Sequence, residues 1–184
     1  QLQGFFDIPV DHLQGSLILA RYFLEKFQGK VDDVVVVSPD VGSVGRSRRF
    51  AEKMEVPLAI IDKRRPKANV CEIMNIIGDV RGKRAILVDD LIDTAGTVVN
   101  AANALADMGA TEVYACCTHG VLSGPAIDRI RTSVIKEVVV LNTIQIPKEK
   151  RINKLTILSV GDVFAEAIER MYGDISISTI FTQL

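Results

Sequence analysis

Ala85-Ile86-Leu87-Val88-Asp89-Asp90-Leu91-Ile92-Asp93-Thr94-Ala95-Gly96-Thr97 sets a short apolar run against two carboxylates and then a turn of small residues. The apolar run is aliphatic throughout, the pattern of a strand covered on both faces. Beyond the turn, Val98, Ala101, Ala102, Leu105 and Met108 recur near helical spacing, and Gly109 follows as a stop signal. A small-residue turn between strand and helix leaves backbone N–H groups pointing outward, and the helix start adds positive potential, so the two together cradle a phosphate. Gly96 lets the backbone approach closely, while Thr94 and Thr97 carry hydroxyl donors. Three carboxylates facing a phosphate would repel it. They make sense if Asp89 and Asp90 face sugar hydroxyls, which donate to carboxylates, with a divalent ion offsetting the remaining charge. The plainer alternative is a capped turn after an acidic strand end.

Outward from this stretch the same rhythm repeats. Val34–Val37, Leu58–Ile61, Ala85–Val88, Val113–Cys117 and Val138–Leu141 are short apolar runs. Between them, Leu17–Phe27, Arg46–Met54, Thr94–Met108, Pro125–Thr132 and Val163–Met171 are helix candidates. Alternation of this kind predicts an α/β fold: a doubly wound, mainly parallel sheet with helices on both faces and ligands at the carboxyl ends of the strands. Residues 15–172 form that predicted domain. Residues 1–14 form an amino-terminal arm and residues 173–184 a carboxy-terminal tail, neither of which follows the rhythm. In the tail, Asp174-Ile175-Ser176-Ile177-Ser178-Thr179-Ile180-Phe181 alternates polar and apolar residues, which predicts an edge strand presenting Ser176 and Ser178 on one face.

A chain of 184 residues with 48% hydrophobic residues is long and apolar enough to bury a core, which argues against disorder. Its 22 basic and 23 acidic residues leave a net charge of -1, which argues against a general nucleic-acid or membrane-surface binder with its broad basic face. No apolar run approaches the roughly 20 residues of a membrane span, and the first residues lack the pattern of a signal peptide. Adjacent Cys116 and Cys117 would point to opposite faces of a strand, a poor geometry for a disulfide. Buried small hydrophobes in a reducing cytosol fit better, so a cytoplasmic location is expected. The start at Gln1-Leu2-Gln3-Gly4, without an initiator Met, leads us to expect a fragment of a longer protein.

Two further clusters carry chemistry. Lys63-Arg64-Arg65-Pro66-Lys67 follows a strand end, with Pro66 breaking regular structure. Charge alone suits a solvated loop, but cations there also suit stabilisation of the charge that develops in phosphoryl transfer. Asp40 ends the Val34–Ser38 strand and so stands at the active edge of the sheet, where magnesium would take one or two carboxylates. A helix-capping acid is the alternative. His12 and His119 have no metal-ligand partner at useful spacing, and Ser123, before Gly124-Pro125, reads as a helix cap.

Val88–Thr97 resembles the phosphoribosyl pyrophosphate motif shared by phosphoribosyltransferases and ribose-phosphate pyrophosphokinases, and Asp93 opening the turn resembles the pyrophosphokinases in particular. The flanks resemble the same family in the same order: Gln3-Gly4-Phe5-Phe6-Asp7-Ile8-Pro9-Val10-Asp11, Ser38-Pro39-Asp40, Ile61-Asp62-Lys63-Arg64-Arg65-Pro66, and Thr118-His119-Gly120-Val121-Leu122-Ser123-Gly124-Pro125. Val41-Gly42-Ser43-Val44-Gly45 departs from the Gly-Gly usual in the family's pyrophosphate loop.

The resemblance implies a type I phosphoribosyltransferase-like fold and magnesium-dependent transfer of pyrophosphate from ATP to ribose 5-phosphate. It implies Lys63 as the catalytic lysine, Arg65 on the sugar phosphate or transition state, and Asp40 on Mg2+. Asp89, Asp90, Asp93, Thr94, Ala95, Gly96 and Thr97 would bind ribose 5-phosphate. Gln3, Asp11, Ser176, Ser178 and Phe181 would belong to a regulatory phosphate or ADP site at a subunit contact, in a homo-oligomer, a hexamer by the family's pattern. By the same resemblance the chain is the carboxy-terminal half of a two-domain enzyme, without the half that supplies most adenine contacts and a metal-binding histidine, and would be inactive alone. A phosphoribosyltransferase consuming phosphoribosyl pyrophosphate would leave the 63–67 loop unexplained. A non-catalytic associated subunit would not need Lys63 and the 88–97 stretch intact.

Overall fold

The computed structural model describes residues 2–64 and 73–181. Seven strands form one sheet: β1 (Val34–Ser38), β2 (Leu58–Arg64), β3 (Ile73–Ile77), β4 (Arg84–Ile92), β5 (Glu112–Gly120), β6 (Glu137–Leu141) and β7 (Leu155–Leu158). Their order is β3-β2-β1-β4-β5-β6-β7, with β3 antiparallel to β2 and every other pair parallel.

The continuous apolarity of β1 has a direct cause. All five of its residues are fully buried, because helices cover both faces of the sheet at its centre. Alternate side chains enter different cores. Val34, Val36, Ile86 and Val88 pack with Leu19, Phe23, Phe50 and Met54 of α1 (Ser16–Lys26) and α2 (Val44–Met54). Val35, Val37, Ala85 and Leu87 pack with Ala101, Ala102, Leu105 and Ile130 of α3 (Gly96–Asp107) and α4 (Ala126–Thr132). Burying a side chain such as Phe23 contributes about 1.5–3 kcal/mol. The sheet is doubly wound, as the alternation predicts.

From β1 the chain moves outward to β2 and β3, then returns to place β4 on the other side of β1. The β1/β4 pair is therefore the point where strand order reverses, and the loops leaving its carboxyl ends part to open a crevice. The loop after β1 holds Asp40, the last residues of β4 include Asp89 and Asp90, and the loop after β4 holds Asp93–Ala95.

Two edge strands, β3 and β7, escape the sequence pattern. The four residues of β7 are all only partly buried, so it lacks the run of a central strand. The tail corrects an expectation: it is not an edge strand. Helix α5 (Gly161–Tyr172) ends where Asp174 takes φ 53°, and the Ile175 N–H bonds back to the Arg170 carbonyl. The Ser176 hydroxyl accepts from the Ser178 N–H at 3.2 Å and meets the Ser178 hydroxyl at 2.9 Å. Such local bonds compete with a ladder. Ser178–Phe181 closes as a 3₁₀ turn, burying Ile180.

Candidate functional site

The crevice at the β1/β4 switch is a cleft of about 510 Å³. Asp40, Gly42, Ser43 and Arg46 form one wall and Asp89–Val98 the other. Every expected sugar-phosphate residue and Asp40 thus face the same space.

A small-residue turn leads from β4 into a helix, with one shift from the expected bounds: α3 begins at Gly96 rather than Thr94. Ala95 adopts φ 59°, a left-handed conformation unfavourable for a residue with a Cβ, and so breaks helical continuity ahead of Gly96. No side chain caps this helix. Its first N–H groups have no intrahelical partner and are open to an anion. The segment after β5 braces the turn. The N–H groups of Val121 and Leu122 both donate to the Ile92 carbonyl, and the Ser123 N–H donates to the Asp93 carbonyl at 3.0 Å. The Ser123 hydroxyl donates to the Asp93 carboxylate. Ser123 is therefore a brace and not the expected helix cap; α4 starts three residues later, with no side-chain cap. With Asp93 held by Ser123, the turn can present N–H groups rather than a carboxylate.

Asp89 and Asp90 lie near the carboxyl end of β4 beside Arg46, in the first turn of α2. Arg46 donates to Asp89 at 2.9 Å and to Asp90 at 2.8 Å. Arg46 is a site residue that sequence reading missed, because its pairing crosses 43 residues of chain. Asp89 also accepts from the Asp90 N–H at 2.9 Å. Burial pushes the Asp89 carboxyl up to about 6; the bond from the Asp90 N–H and the charge of Arg46 oppose the shift, while the Asp90 carboxyl reinforces it. Desolvation outweighs the ion pair here, since Asp89 is the more enclosed of the two acids.

Asp40 accepts from the Ser43 N–H at 2.7 Å through one carboxylate oxygen, so it caps the turn into α2, while still lining the cleft. Its own backbone carbonyl accepts from the Ser38 hydroxyl at 2.7 Å. Among the described residues, no cluster of three or more His, Cys, Asp or Glu could hold a metal by itself. One carboxylate completed by substrate oxygens and water is nevertheless a normal magnesium site.

Lys63 belongs to β2, so its backbone stands at the carboxyl end of a strand next to β1; its side chain and all of Arg65 lie outside the described residues. Gln3 and Asp11 are exposed in the amino-terminal segment, where Gln3 donates to the Val10 carbonyl at 3.3 Å. Ser176 and Ser178 meet each other, but among the described residues no hydrogen bond joins them to Gln3 or Asp11. The Phe181 side chain is outside the described residues. Cys116 and Cys117 are free and buried on opposite faces of β5, as expected. No helix among the described residues is long and apolar enough to cross a membrane.

Residues 62–182 match the family described as Phosphoribosyl synthetase-associated domain. The chain is 64% identical over 183 residues to the ribose-phosphate pyrophosphokinase of Clostridium acetobutylicum, covering 100% of this chain and 57% of that protein. It is 66% identical over 182 residues to the ribose-phosphate pyrophosphokinase of Caldanaerobacter subterraneus subsp. tengcongensis, covering 99% and 57%. The crystal structure of phosphoribosylpyrophosphate synthetase from Mycobacterium smegmatis superposes with a TM-score of 0.84 at 42% identity, over 95% of this chain and 56% of that one. The chain spans about half the length of the relatives it matches.

Proposed function

From a chain that belongs to the phosphoribosyl synthetase-associated domain family, we propose the ribose 5-phosphate half of a ribose-phosphate pyrophosphokinase. The reaction is transfer of pyrophosphate from ATP to the 1-hydroxyl of ribose 5-phosphate, supplying phosphoribosyl pyrophosphate for nucleotide biosynthesis. The observation that carries this reading is the uncapped start of α3 behind the left-handed Ala95, facing a cleft whose opposite wall holds Asp40.

In this reading the 5-phosphate rests on the N–H groups of Asp93–Thr97 and the Thr94 and Thr97 hydroxyls. Asp89, ionised above about pH 6, accepts from ribose hydroxyls, and Asp90 assists at the rim. Arg46 keeps two adjacent carboxylates compatible at one strand end. Magnesium would be held by the free oxygen of Asp40 together with substrate oxygens, offsetting phosphate charge. Lys63 and Arg65 neutralise charge on the transferring group. Residues 1–14 and 173–184 act as arms at a subunit contact, with Gln3, Asp11, Ser176, Ser178 and Phe181 forming a phosphate or ADP site in a homo-oligomer. Turnover needs the further half that the longer relatives possess.

Titration with ribose 5-phosphate tests this. Loss of one hydrogen bond to a charged ligand group costs roughly 1.5–3 kcal/mol, so Thr97→Ala should weaken binding about tenfold or more. An unchanged titration in folded Thr97→Ala would contradict the reading. In the protein completed by the further half that the longer relatives possess, Lys63→Ala should abolish most ATP-dependent AMP release. Binding without turnover in that completed protein would instead favour a non-catalytic subunit.

A further inference from the structure

Arg129, on α4, lies behind the phosphate turn and is not among the residues lining the cleft. Its Nη1 donates to the Thr94 carbonyl oxygen at 3.0 Å. A Cβ on Gly96 would come within 3.2 Å of the same nitrogen, so the absent side chain at 96 is the space the guanidinium uses. Glycine here therefore serves two partners, the ligand in front and Arg129 behind.

In a trans peptide the carbonyl and the N–H point in opposite directions, and no peptide among the described residues is cis. The bond from Arg129 to the Thr94 oxygen consequently sets the Ala95 N–H pointing away from Arg129, and Ala95 lines the cleft. Ala95 holds a left-handed φ of 59° that its Cβ disfavours, so the orientation needs support from neighbours. Ser123 braces the turn at Asp93; Arg129 braces it one residue later, at the peptide that precedes Ala95.

We propose that Arg129 is a positioning residue for the phosphate of ribose 5-phosphate. It acts through the Thr94–Ala95 peptide, aiming the Ala95 N–H at the phosphate, and its cationic charge sits behind the turn without touching the ligand. The inference rests on the sugar-phosphate reading above, and names a residue on which that reading does not itself depend.

The test is titration of the protein with ribose 5-phosphate, following the Ala95 amide by 1H–15N NMR, for wild type, Arg129→Met and Arg129→Gln. The Gln side chain ends two bonds short of the Nη position, so either change removes the bond to Thr94. Both should weaken binding about tenfold, the weight of one hydrogen bond to a charged group, and both should lose most of the ligand-induced shift of the Ala95 amide. Urea unfolding in parallel identifies which variants are folded, and either one that folds is sufficient. A folded variant with wild-type affinity and an unaltered Ala95 shift overturns the inference, whatever its stability. Failure of the wild type itself to bind ribose 5-phosphate overturns the functional reading, and this inference with it.

Discussion

Arg46 and Asp89 meet at 2.9 Å across the crevice at the β1/β4 switch, joining the first turn of α2 to the end of β4. The same guanidinium reaches Asp90, so one cation serves two adjacent carboxylates. Both partners are partly solvated, which limits the pair to about 1 kcal/mol or less. Arg46→Met should lower stability by that order at neutral pH. The loss should shrink as pH falls through 6, where protonated Asp89 no longer needs a cation. Urea unfolding at pH 7 and pH 5 measures it.

Asp89 sets a second pH signature. Its carboxyl titrates near 6 in the folded chain, above the ordinary 3.8, so the native state holds the proton more tightly than the unfolded state does. The associated stability is fully present below the unfolded value and is lost as pH rises through about 6. Asp89→Asn should remove this loss, so the variant's stability should rise relative to wild type between pH 4 and pH 6. Parallel urea midpoints across that range check the sign.

Most of the central architecture was legible because burial on both faces writes itself as continuous apolarity, as in Val34–Val37 and Ala85–Val88. What stayed hidden depended on contacts between distant segments. Arg46 reads as an ordinary helix residue until α2 brings it to Asp89, and Arg129 reads as a surface arginine until α4 sets it behind Gly96. The tail misled because Ser176 and Ser178 satisfy each other and neighbouring backbone, and the left-handed Asp174 turns the chain back toward α5. Ser123 misled for a similar reason: Asp93, 30 residues away, takes its hydroxyl.

The start of α1 gives a packing prediction. A Cβ on Gly15 would lie 2.5 Å from Leu141 Cδ1 and 3.0 Å from Thr118 Oγ1. Gly15→Ala should therefore destabilise the fold by about 1–3 kcal/mol, read as a lower urea midpoint with an unchanged slope.

Cys116 and Cys117 should be inert in the native protein. Burial raises both thiols well above their ordinary value, Cys117 to about 12, so neither forms thiolate near neutrality. Peptide mass analysis after iodoacetamide should find both unlabelled in buffer and both labelled in denaturant.

The tail serines carry the regulatory proposal. If Ser176 and Ser178 belong to a phosphate or ADP site, then in the full-length protein Ser176→Ala with Ser178→Ala should leave ribose 5-phosphate affinity unchanged and weaken any response to ADP and phosphate. Identical effector responses in the double variant and wild type would make the tail structural only.

If the Asp93–Thr97 turn seats the phosphate of a sugar phosphate, a crystal structure with ribose 5-phosphate bound will show the phosphate there. The phosphate oxygens should lie about 3 Å from the N–H groups of that turn, with ribose hydroxyls directed at Asp89. A phosphate bound elsewhere, for example against Arg21 in the groove between α1 and α5, with the Asp93–Thr97 turn left empty, would contradict it.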